Sequence, residues 1–491
     1  MSKAAISAGR SALWQVVGSV AQFVIRLGAS MILARHLLPR EFGLFATAYI
    51  IYGVFEMLSA NGLTAGIITK KKPTRTEIST CFWMVAVLRI ILFIIVYNSA
   101  GIIAQFMKNP ELTPLIRAVS FLILFMAIGT VAQGLMIKDM HFKQITMIKL
   151  ISGLIESLLA VILVLTTDLR YWALVYAMLI SIAFMNILMF MTARFIPHLC
   201  FSKKAFRSLA KFGYNGIGAS ITAYLSHNFD YMIIAKLLGP KSLGYYEFAY
   251  RLPHIVNERV SSPIGGVVFS ALAQKEKDKR EILKSYLNAT EYVAWLIFPL
   301  LGGLIVTAPM VVKFLWGDRW ISIVTPLRIL CISAALNGIL DYSRSVFLCL
   351  ERPDIEFKFQ ILNLIIAIIC VSSLGYIMGL NGVAIGMVLS RAAMLLQTNQ
   401  AMRMLDSTLS LVLRIVTKPL VTTMFMVFFL FFFQMVLWRL ELNENLILPV
   451  MILIGGITYI SAARIMFPTA YEEIVHAFKK NFLPRNLETL T

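Results

Sequence analysis

Long apolar runs, separated by short polar links, follow one another along almost the whole chain. A helix needs about 20 predominantly apolar residues to cross a membrane. Fourteen runs meet this length, at residues 11–34, 42–69, 79–105, 113–136, 147–166, 171–195, 210–238, 243–272, 287–315, 323–349, 356–379, 381–403, 411–438 and 446–467. Hydrocarbon cannot satisfy backbone N–H and C=O groups, so each run is predicted to be helical. The predicted fold class is all-α, a polytopic membrane protein with about 14 transmembrane helices.

The composition supports a chain that is mostly surrounded by lipid. Its residues are 59% hydrophobic and only 14% charged, with a mean hydropathy of +0.80. A soluble domain is about a quarter charged, so these charges are too few to cover a soluble surface. The net charge of +20 does not indicate a nucleic-acid partner, because the basic residues lie in links between apolar runs. The five cysteines are scattered, and neither a disulfide framework nor a metal site is predicted.

The distribution of lysine and arginine predicts the orientation of the chain. With the N-terminus placed inside, the inner links, the termini and the adjoining helix ends hold 28 of these residues, and the outer links with their helix ends hold 9. Cytoplasmic links of membrane proteins carry such an excess of positive charge. Both termini are therefore predicted to lie in the cytoplasm.

A segment near the N-terminus returns in the middle of the chain. ILARHLLPREFGLFATAY at 32–49 resembles IIAKLLGPKSLGYYEFAY at 233–250, with Pro39 matching Pro240 and Gly43 matching Gly244, an offset of 201 residues. Six predicted spans separate the copies, so both copies enter the membrane in the same direction, as in a parallel repeat. The predicted domains are an N-lobe at 1–200 with helices 1–6, a C-lobe at 201–407 with helices 7–12, and helices 13–14 with a cytoplasmic tail at 408–491. A chance likeness between two turn-forming links is the alternative.

Several stretches, in this order and spacing, carry a resemblance to a known family. They are ARHLLPREFGLFATA (34–48), NGLTAGIITKKKPTRTE (61–77), MIKDMHFKQ (136–144), YWALVYAML (171–179), DYMIIAKLLGPKSLGYYEFAYRL (230–252), GDRWISIVTPLRIL (317–330) and ERPDIEF (351–357). The chain resembles the polysaccharide-transporter branch of the multidrug/oligosaccharidyl-lipid/polysaccharide exporter superfamily, in particular lipid-linked oligosaccharide flippases of the colanic-acid-exporter type. The likeness covers about residues 1–400.

The resemblance implies a flippase of the bacterial cytoplasmic (inner) membrane. Its expected cargo is an undecaprenyl-diphosphate-linked oligosaccharide repeat unit, moved to the outer leaflet by alternating access for surface polysaccharide assembly. Two alternatives remain: a cation-coupled extruder of drugs or other small molecules from the same superfamily, and a membrane glycosyltransferase or polymerase. The short outer links argue against an enzyme. Membrane lipids are expected partners, and polysaccharide polymerase or synthesis proteins are further candidates.

Ionisable residues inside the spans are candidates for a cargo site, because each is costly to place in lipid. In the eighth span, spacings of 4, 3 and 4 put four of them on one helical face. Arginine suits the oxygens of a diphosphate, and Glu247, Asp230 and Asp341 are expected to pair with the arginines when cargo is absent. The candidate residues are Arg26, Glu56, Asn61, His227, Asp230, Glu247, Arg251, His254, Glu258, Arg259, Asp341, Arg344 and Arg391.

The same residues have a purely structural interpretation. Glu247–Arg251 and His254–Glu258 would then be ion pairs that neutralise each other along one helix. No GxxxxGK[ST] phosphate loop is present, so ATP hydrolysis in this chain is not expected. No cofactor is predicted, and transport would be coupled to H⁺ or Na⁺ or would follow the cargo gradient.

Overall fold

The computed structural model describes residues 3–59, 61–70, 72–273, 278–439 and 444–473. For residues 3–17, 59, 61–62, 65, 211–223, 262–273, 438–439 and 444–446 it describes the backbone only. All regular structure in these ranges is helical. The α-helices are α1 (Lys3–His36), α2 (Pro39–Ser59), α3 (Asn61–Ile68), α4 (Arg75–Phe106), α5 (Leu112–Lys138), α6 (Phe142–Thr166), α7 (Trp172–Ala193), α8 (Lys203–Leu237), α9 (Gly239–Ala273), α10 (Lys279–Trp316), α11 (Val324–Leu340), α12 (Ser343–Cys349), α13 (Pro353–Met404), α14 (Leu409–Arg439) and α15 (Glu444–Met466).

The all-α prediction is confirmed, and each predicted span falls on one or two of these helices. By length and apolar composition, 10 of the described helical segments can cross a membrane. The predicted total of 14 crossings stays a prediction. The helices α1, α8 and α9 are not among the ten. The last two carry seven of the thirteen residues that the sequence assigned to a site, at 227, 230, 247, 251, 254, 258 and 259.

Two predicted spans are interrupted helices. The second predicted span is divided into α2, ending at Ser59, and α3, beginning at Asn61. The tenth is divided into α11 and α12, with Asp341 and Tyr342 between them. Both breaks fall on short polar stretches, SANG at 59–62 and DYSRS at 341–345, which are too short to end a predicted span.

The helix α13 is a hairpin of two antiparallel legs. Its 52 residues, at about 1.5 Å each, would be more than twice the roughly 30 Å thickness of hydrocarbon. The chain reverses at Gly379, where φ is 60° and ψ is −138°. Asn363 on the first leg donates a hydrogen bond of 3.0 Å to Gln397 Oε1 on the second leg. The legs correspond to the eleventh and twelfth predicted spans.

The chain forms two compact units, residues 1–245 and 246–491. In the first unit, α4 packs on α5, α5 on α7, α1 on α6, and α2 and α3 on α8. The start of α4 follows from its sequence: Thr74 caps the helix and Glu77 returns a hydrogen bond, which forms a capping box. The predicted lobe boundaries at 200 and 407 remain predictions.

The two copies of the repeated segment contact each other inside the first unit. A Cβ atom on Gly43 would lie 1.7 Å from the Pro240 carbonyl oxygen, and one on Gly244 would lie 1.8 Å from the Pro39 carbonyl oxygen. Each glycine therefore lets its own helix touch the backbone of the other copy. The helix ends match as well, because α1 ends at His36 and α8 ends at Leu237, which are separated by the same offset of 201 residues.

In the second unit, α10 is the central helix. It packs against α11, α14 and α15, while α11 packs on α13. Gly302 of α10 gives room to α14, since a Cβ atom there would lie 2.7 Å from Thr423 Cγ2. Trp295 of α10 packs against Ala463 and Ala470. The last two predicted helices, α14 and α15, are thus fixed to α10.

Large apolar side chains cover the outside of many helices. Ile102, Tyr376 and Phe428 are among the most exposed of them. A soluble monomer does not expose contiguous apolar surface on this scale. The exposed side chains therefore face lipid, which agrees with the composition.

Candidate functional site

The polar face predicted for the eighth span is present on α9. Arg251 Nη2 lies 3.0 Å from Glu247 Oε1, and His254 Nε2 lies 3.4 Å from Glu258 Oε1. The Arg251–Glu247 ion pair is therefore present, and His254 is in contact with Glu258, which makes a second ion pair when the imidazole is protonated. The Arg251 guanidinium also lies over the Phe248 ring, 4.7 Å from its centroid, in the geometry of a cation–π contact.

The Arg251–Glu247 pair remains accessible. Each side chain is 29% exposed, so the guanidinium is held in place while part of it stays open to an anionic ligand. The His254 ring stacks on Tyr250 at 5.0 Å, which fixes the orientation of the imidazole. This face of α9 therefore presents ordered charges.

The break between α11 and α12 lies beside the second half of α9. The Tyr342 hydroxyl donates a hydrogen bond of 2.7 Å to the Ser261 carbonyl. A Cβ atom on Gly338 would lie 3.0 Å from Asn257 Oδ1 and 3.1 Å from Ser261 Oγ. Glycine at this position therefore lets α11 approach the polar side of α9 closely. Interrupted helices of transporters often border their substrate sites.

Arg344 of α12 makes its ion pair with a residue that the sequence analysis did not select. Its Nε lies 2.9 Å from Glu356 Oε1 at the start of α13, and Gln360 donates to the same oxygen at 2.7 Å. Asp341, one of the three acids expected to pair with the arginines, is exposed at the end of α11. Arg344 makes its ion pair with α13 instead.

Arg26 also has a partner outside the predicted set. It lies on α1 and contacts Glu156 of α6 at 3.3 Å, with more than half of the arginine side chain exposed. The packing of α1 on α6 brings the two residues together.

The remaining candidates of the first unit lie on α2, α3 and α8. Glu56 of α2 is bound by Arg89 of α4. On α8, His227 is exposed whereas Asp230 is almost completely buried. The Asn61 side chain lies outside the described residues.

Two candidates of the second unit are placed but not brought to the Arg251 pair by a described contact. Arg259 is exposed on α9, one turn or more beyond His254. Arg391 is half-buried on the second leg of α13. The assignment of all these residues to a cargo site stays a prediction.

Three charged partners were missed by the sequence reasoning: Arg89, Glu156 and Glu356. Each is an ionisable residue within or at the edge of a predicted apolar span. That signal was sufficient to select them, since charge in a span is costly wherever it occurs. What the sequence did not reveal was which helices pack together and hence which charges meet.

The arrangement suits recognition of an anion and offers no evident metal site. Arg251 and Arg344 are each held by one carboxylate and remain partly exposed. Guanidinium groups bind phosphate oxygens through paired donors. Among the described residues, no three His, Cys, Asp or Glu side chains lie close enough to hold a metal ion.

The described helices define a polytopic, all-helical membrane protein. Residues 32–325 match the family of polysaccharide biosynthesis proteins. The chain belongs to this family, in the polysaccharide-transporter branch of the multidrug/oligosaccharidyl-lipid/polysaccharide exporter superfamily, and the resemblance drawn from its motifs is confirmed.

Similar proteins have been named in several bacteria. Lipopolysaccharide biosynthesis protein WzxC of Escherichia coli is 27% identical over 384 residues, which cover 77% of each chain. Succinoglycan biosynthesis transport protein ExoT of Rhizobium meliloti is 26% identical over 329 residues, covering 67% of this chain and 66% of that protein.

Two solved structures share the fold. Lipid II flippase MurJ, in an inward closed conformation, matches with a TM-score of 0.77 and 14% identity, over 92% of this chain and 99% of that chain. An inward-facing multidrug resistance MATE family transporter matches with a TM-score of 0.63 and 14% identity, over 78% of this chain and 94% of that chain.

Proposed function

We propose that this protein is a flippase for undecaprenyl-diphosphate-linked oligosaccharide repeat units. It moves them by alternating access from the cytoplasmic to the outer leaflet of the bacterial inner membrane, for surface polysaccharide assembly. The observation that carries the proposal is the partly exposed Arg251, held by Glu247 on a helix of a polysaccharide-transporter family member. The names of the relatives, which include a biosynthesis transport protein, support the same cargo class.

The ion pairs provide a way to bind and release a diphosphate. Phosphate oxygens take the place of the Glu247 carboxylate on Arg251 and of the Glu356 carboxylate on Arg344. When cargo leaves, the carboxylates return, so neither arginine is left as an unpaired charge in a region of low dielectric. The N···O distances of the two pairs are 3.0 Å and 2.9 Å, which are short enough to hold each guanidinium in position for a phosphate group.

The protein acts without catalysis or a cofactor in this proposal. Transport is driven by the cargo gradient or is coupled to H⁺ or Na⁺, with His254 and Glu258 as the proton-accepting candidates. Both termini lie in the cytoplasm. Lipids surround the helices, and polysaccharide polymerase or synthesis proteins receive or supply the cargo.

The cargo is tested by deleting the protein from its host. Surface polysaccharide is expected to be lost, and radiolabelled lipid-linked sugar is expected to accumulate on the cytoplasmic side. Unchanged polysaccharide with new sensitivity to cationic drugs would instead identify a small-molecule extruder. Unchanged polysaccharide and unchanged drug resistance would contradict both transport functions.

Arg251 is tested by replacement with alanine. Arg251→Ala removes a charge-assisted contact to phosphate, each such contact contributing about 1.5–3 kcal/mol. Export of the lipid-linked sugar is expected to fall at least about tenfold, while the amount of protein in the membrane, measured by immunoblot, stays unchanged. Arg40→Ala is the matched control, because Arg40 pairs with Glu111 at the end of a link and is more than half exposed. Full activity of Arg251→Ala would remove this residue from the site.

A further inference from the structure

A buried ion pair joins three helices of the first unit. Arg89 of α4 contacts the Glu56 carboxylate of α2 twice, with Nη1 2.9 Å from Oε2 and Nη2 2.9 Å from Oε1. The same guanidinium donates to the Ile123 carbonyl of α5 at 3.4 Å. One side chain therefore connects α2, α4 and α5.

Burial and a two-point contact hold the Glu56 carboxylate on Arg89. The Arg89 side chain is 1% exposed and that of Glu56 is 12% exposed. An arginine stays protonated in proteins, and its parallel donors fit a carboxylate with both oxygens. The Tyr52 hydroxyl, which lies 3.3 Å from Glu56 Oε2 and 2.7 Å from Met126 Sδ, adds a further contact to the same carboxylate.

We propose that Arg89 is a positioning residue for transport and that Glu56 acts only through it, without touching cargo. The pair lies one turn before α2 ends at Ser59 and the chain continues as α3 at Asn61. Holding Glu56 fixes the end of α2 against α4 and α5, and thereby the direction in which α3 leaves. Glu56 is thus removed from the cargo ligands suggested by the sequence. This inference rests on the proposed function, since positioning is meaningful only for a protein that transports.

The energetics of buried ion pairs distinguish a positioning role of Glu56 from a role as a cargo ligand. Removing one partner leaves an uncompensated charge in an apolar environment, which is strongly destabilising. Replacing both partners with apolar residues of similar volume removes both charges together and is often neutral. A cargo ligand behaves differently, because the loss of its charge cannot be repaired by changing a buried neighbour.

The test compares Glu56→Leu, Arg89→Met and the double variant Glu56→Leu/Arg89→Met. Membrane abundance, the thermal unfolding midpoint of the purified protein and export of lipid-linked sugar per molecule are measured for each. Each single change is expected to lower abundance several-fold and to lower the midpoint. The double variant is expected to recover most of the abundance, the midpoint and the export. Recovered abundance and midpoint without recovered export would overturn the proposal and return Glu56 to the cargo site.

A second pair serves as a matched control. Arg40 and Glu111 are also 2.9 Å apart, but their side chains are 54% and 44% exposed. Arg40→Met and Glu111→Leu are expected to leave abundance and export unchanged, because exposed pairs contribute little. If variants of both pairs lost abundance and export equally, the positioning role of Arg89 would be contradicted.

The stability measurements also separate this proposal from the proposed function. If deletion of the protein leaves surface polysaccharide intact, the flippase proposal fails, yet the abundance and unfolding midpoints of the three variants still report on the pair. If deletion abolishes polysaccharide while the double variant recovers its abundance and midpoint but stays inactive, only the positioning role fails.

Discussion

At Gly43 and Gly244, the neighbouring backbone leaves no room for a side chain larger than a hydrogen atom. Each position faces a carbonyl oxygen of the other repeat copy, at Pro240 and at Pro39. A backbone atom cannot rotate away as the end of a long side chain can. The residue type is therefore dictated by the contact between α2 and the start of α9.

Gly43→Ala is expected to destabilise the protein by at least about 1–3 kcal/mol, the usual cost of overpacking. A lower thermal unfolding midpoint of the purified protein would reveal this loss. Gly101→Ala in α4 is the control, because a Cβ atom there meets nothing within 4 Å. That change is expected to be neutral or stabilising by roughly 0.5–1 kcal/mol. Equal midpoints for the two variants would contradict the close approach.

The hairpin in α13 is the element whose geometry depends most on one residue. Gly379 has φ 60° and ψ −138°, a combination that residues with a Cβ atom rarely adopt. The legs on either side are joined by Asn363 and Gln397. The reversal is thus set by Gly379 and maintained by contacts along the legs.

Gly379→Ala is expected to cost about 1–3 kcal/mol of stability, the usual range for a residue held in such backbone strain. Gly456→Ala in α15 provides the comparison, since it has open space around its Cα and lies inside a helix. The unfolding midpoint of each purified variant measures the difference. A Gly379→Ala protein as stable as Gly456→Ala would show that the turn accepts a side chain.

Hydropathy predicted the elements well and their interruptions poorly. Apolar runs located the helical spans, and the repeated segment identified equivalent helix ends at His36 and Leu237. The break before Asn61 and the one at Asp341–Tyr342 fall on short polar stretches, and hydropathy does not distinguish such a break from polar residues on a continuous helix. The same limit applies to the site: residue type selected Arg344, whereas its contact with Glu356 depends on how α12 meets α13.

For the whole molecule, the excess of basic residues in alternate links predicts which ends of the helices face the cytoplasm. The helix α7 offers a direct test, because Asp168 is exposed in the link before it and Lys204 is exposed in the first turn of α8, which follows it. In a variant without other cysteines, Asp168→Cys is expected to react with a membrane-impermeant maleimide on intact cells. Lys204→Cys is expected to react only after permeabilisation.

The opposite labelling pattern would reverse the predicted orientation, and equal labelling of both positions would place both links on one side. The native cysteines can be removed for this experiment, since all five are free thiols. Cys81 and Cys331 are buried, so conservative replacement by alanine or serine at these two positions requires a check of protein abundance.

The reciprocal contact of Gly43 and Gly244 has the geometry of an isologous dimer interface enclosed within one polypeptide. In such an interface, the same patch on two identical subunits meets across a two-fold axis. Here the two equivalent patches lie 201 residues apart in one chain, so their contact does not depend on protein concentration, as the contact between separate subunits would.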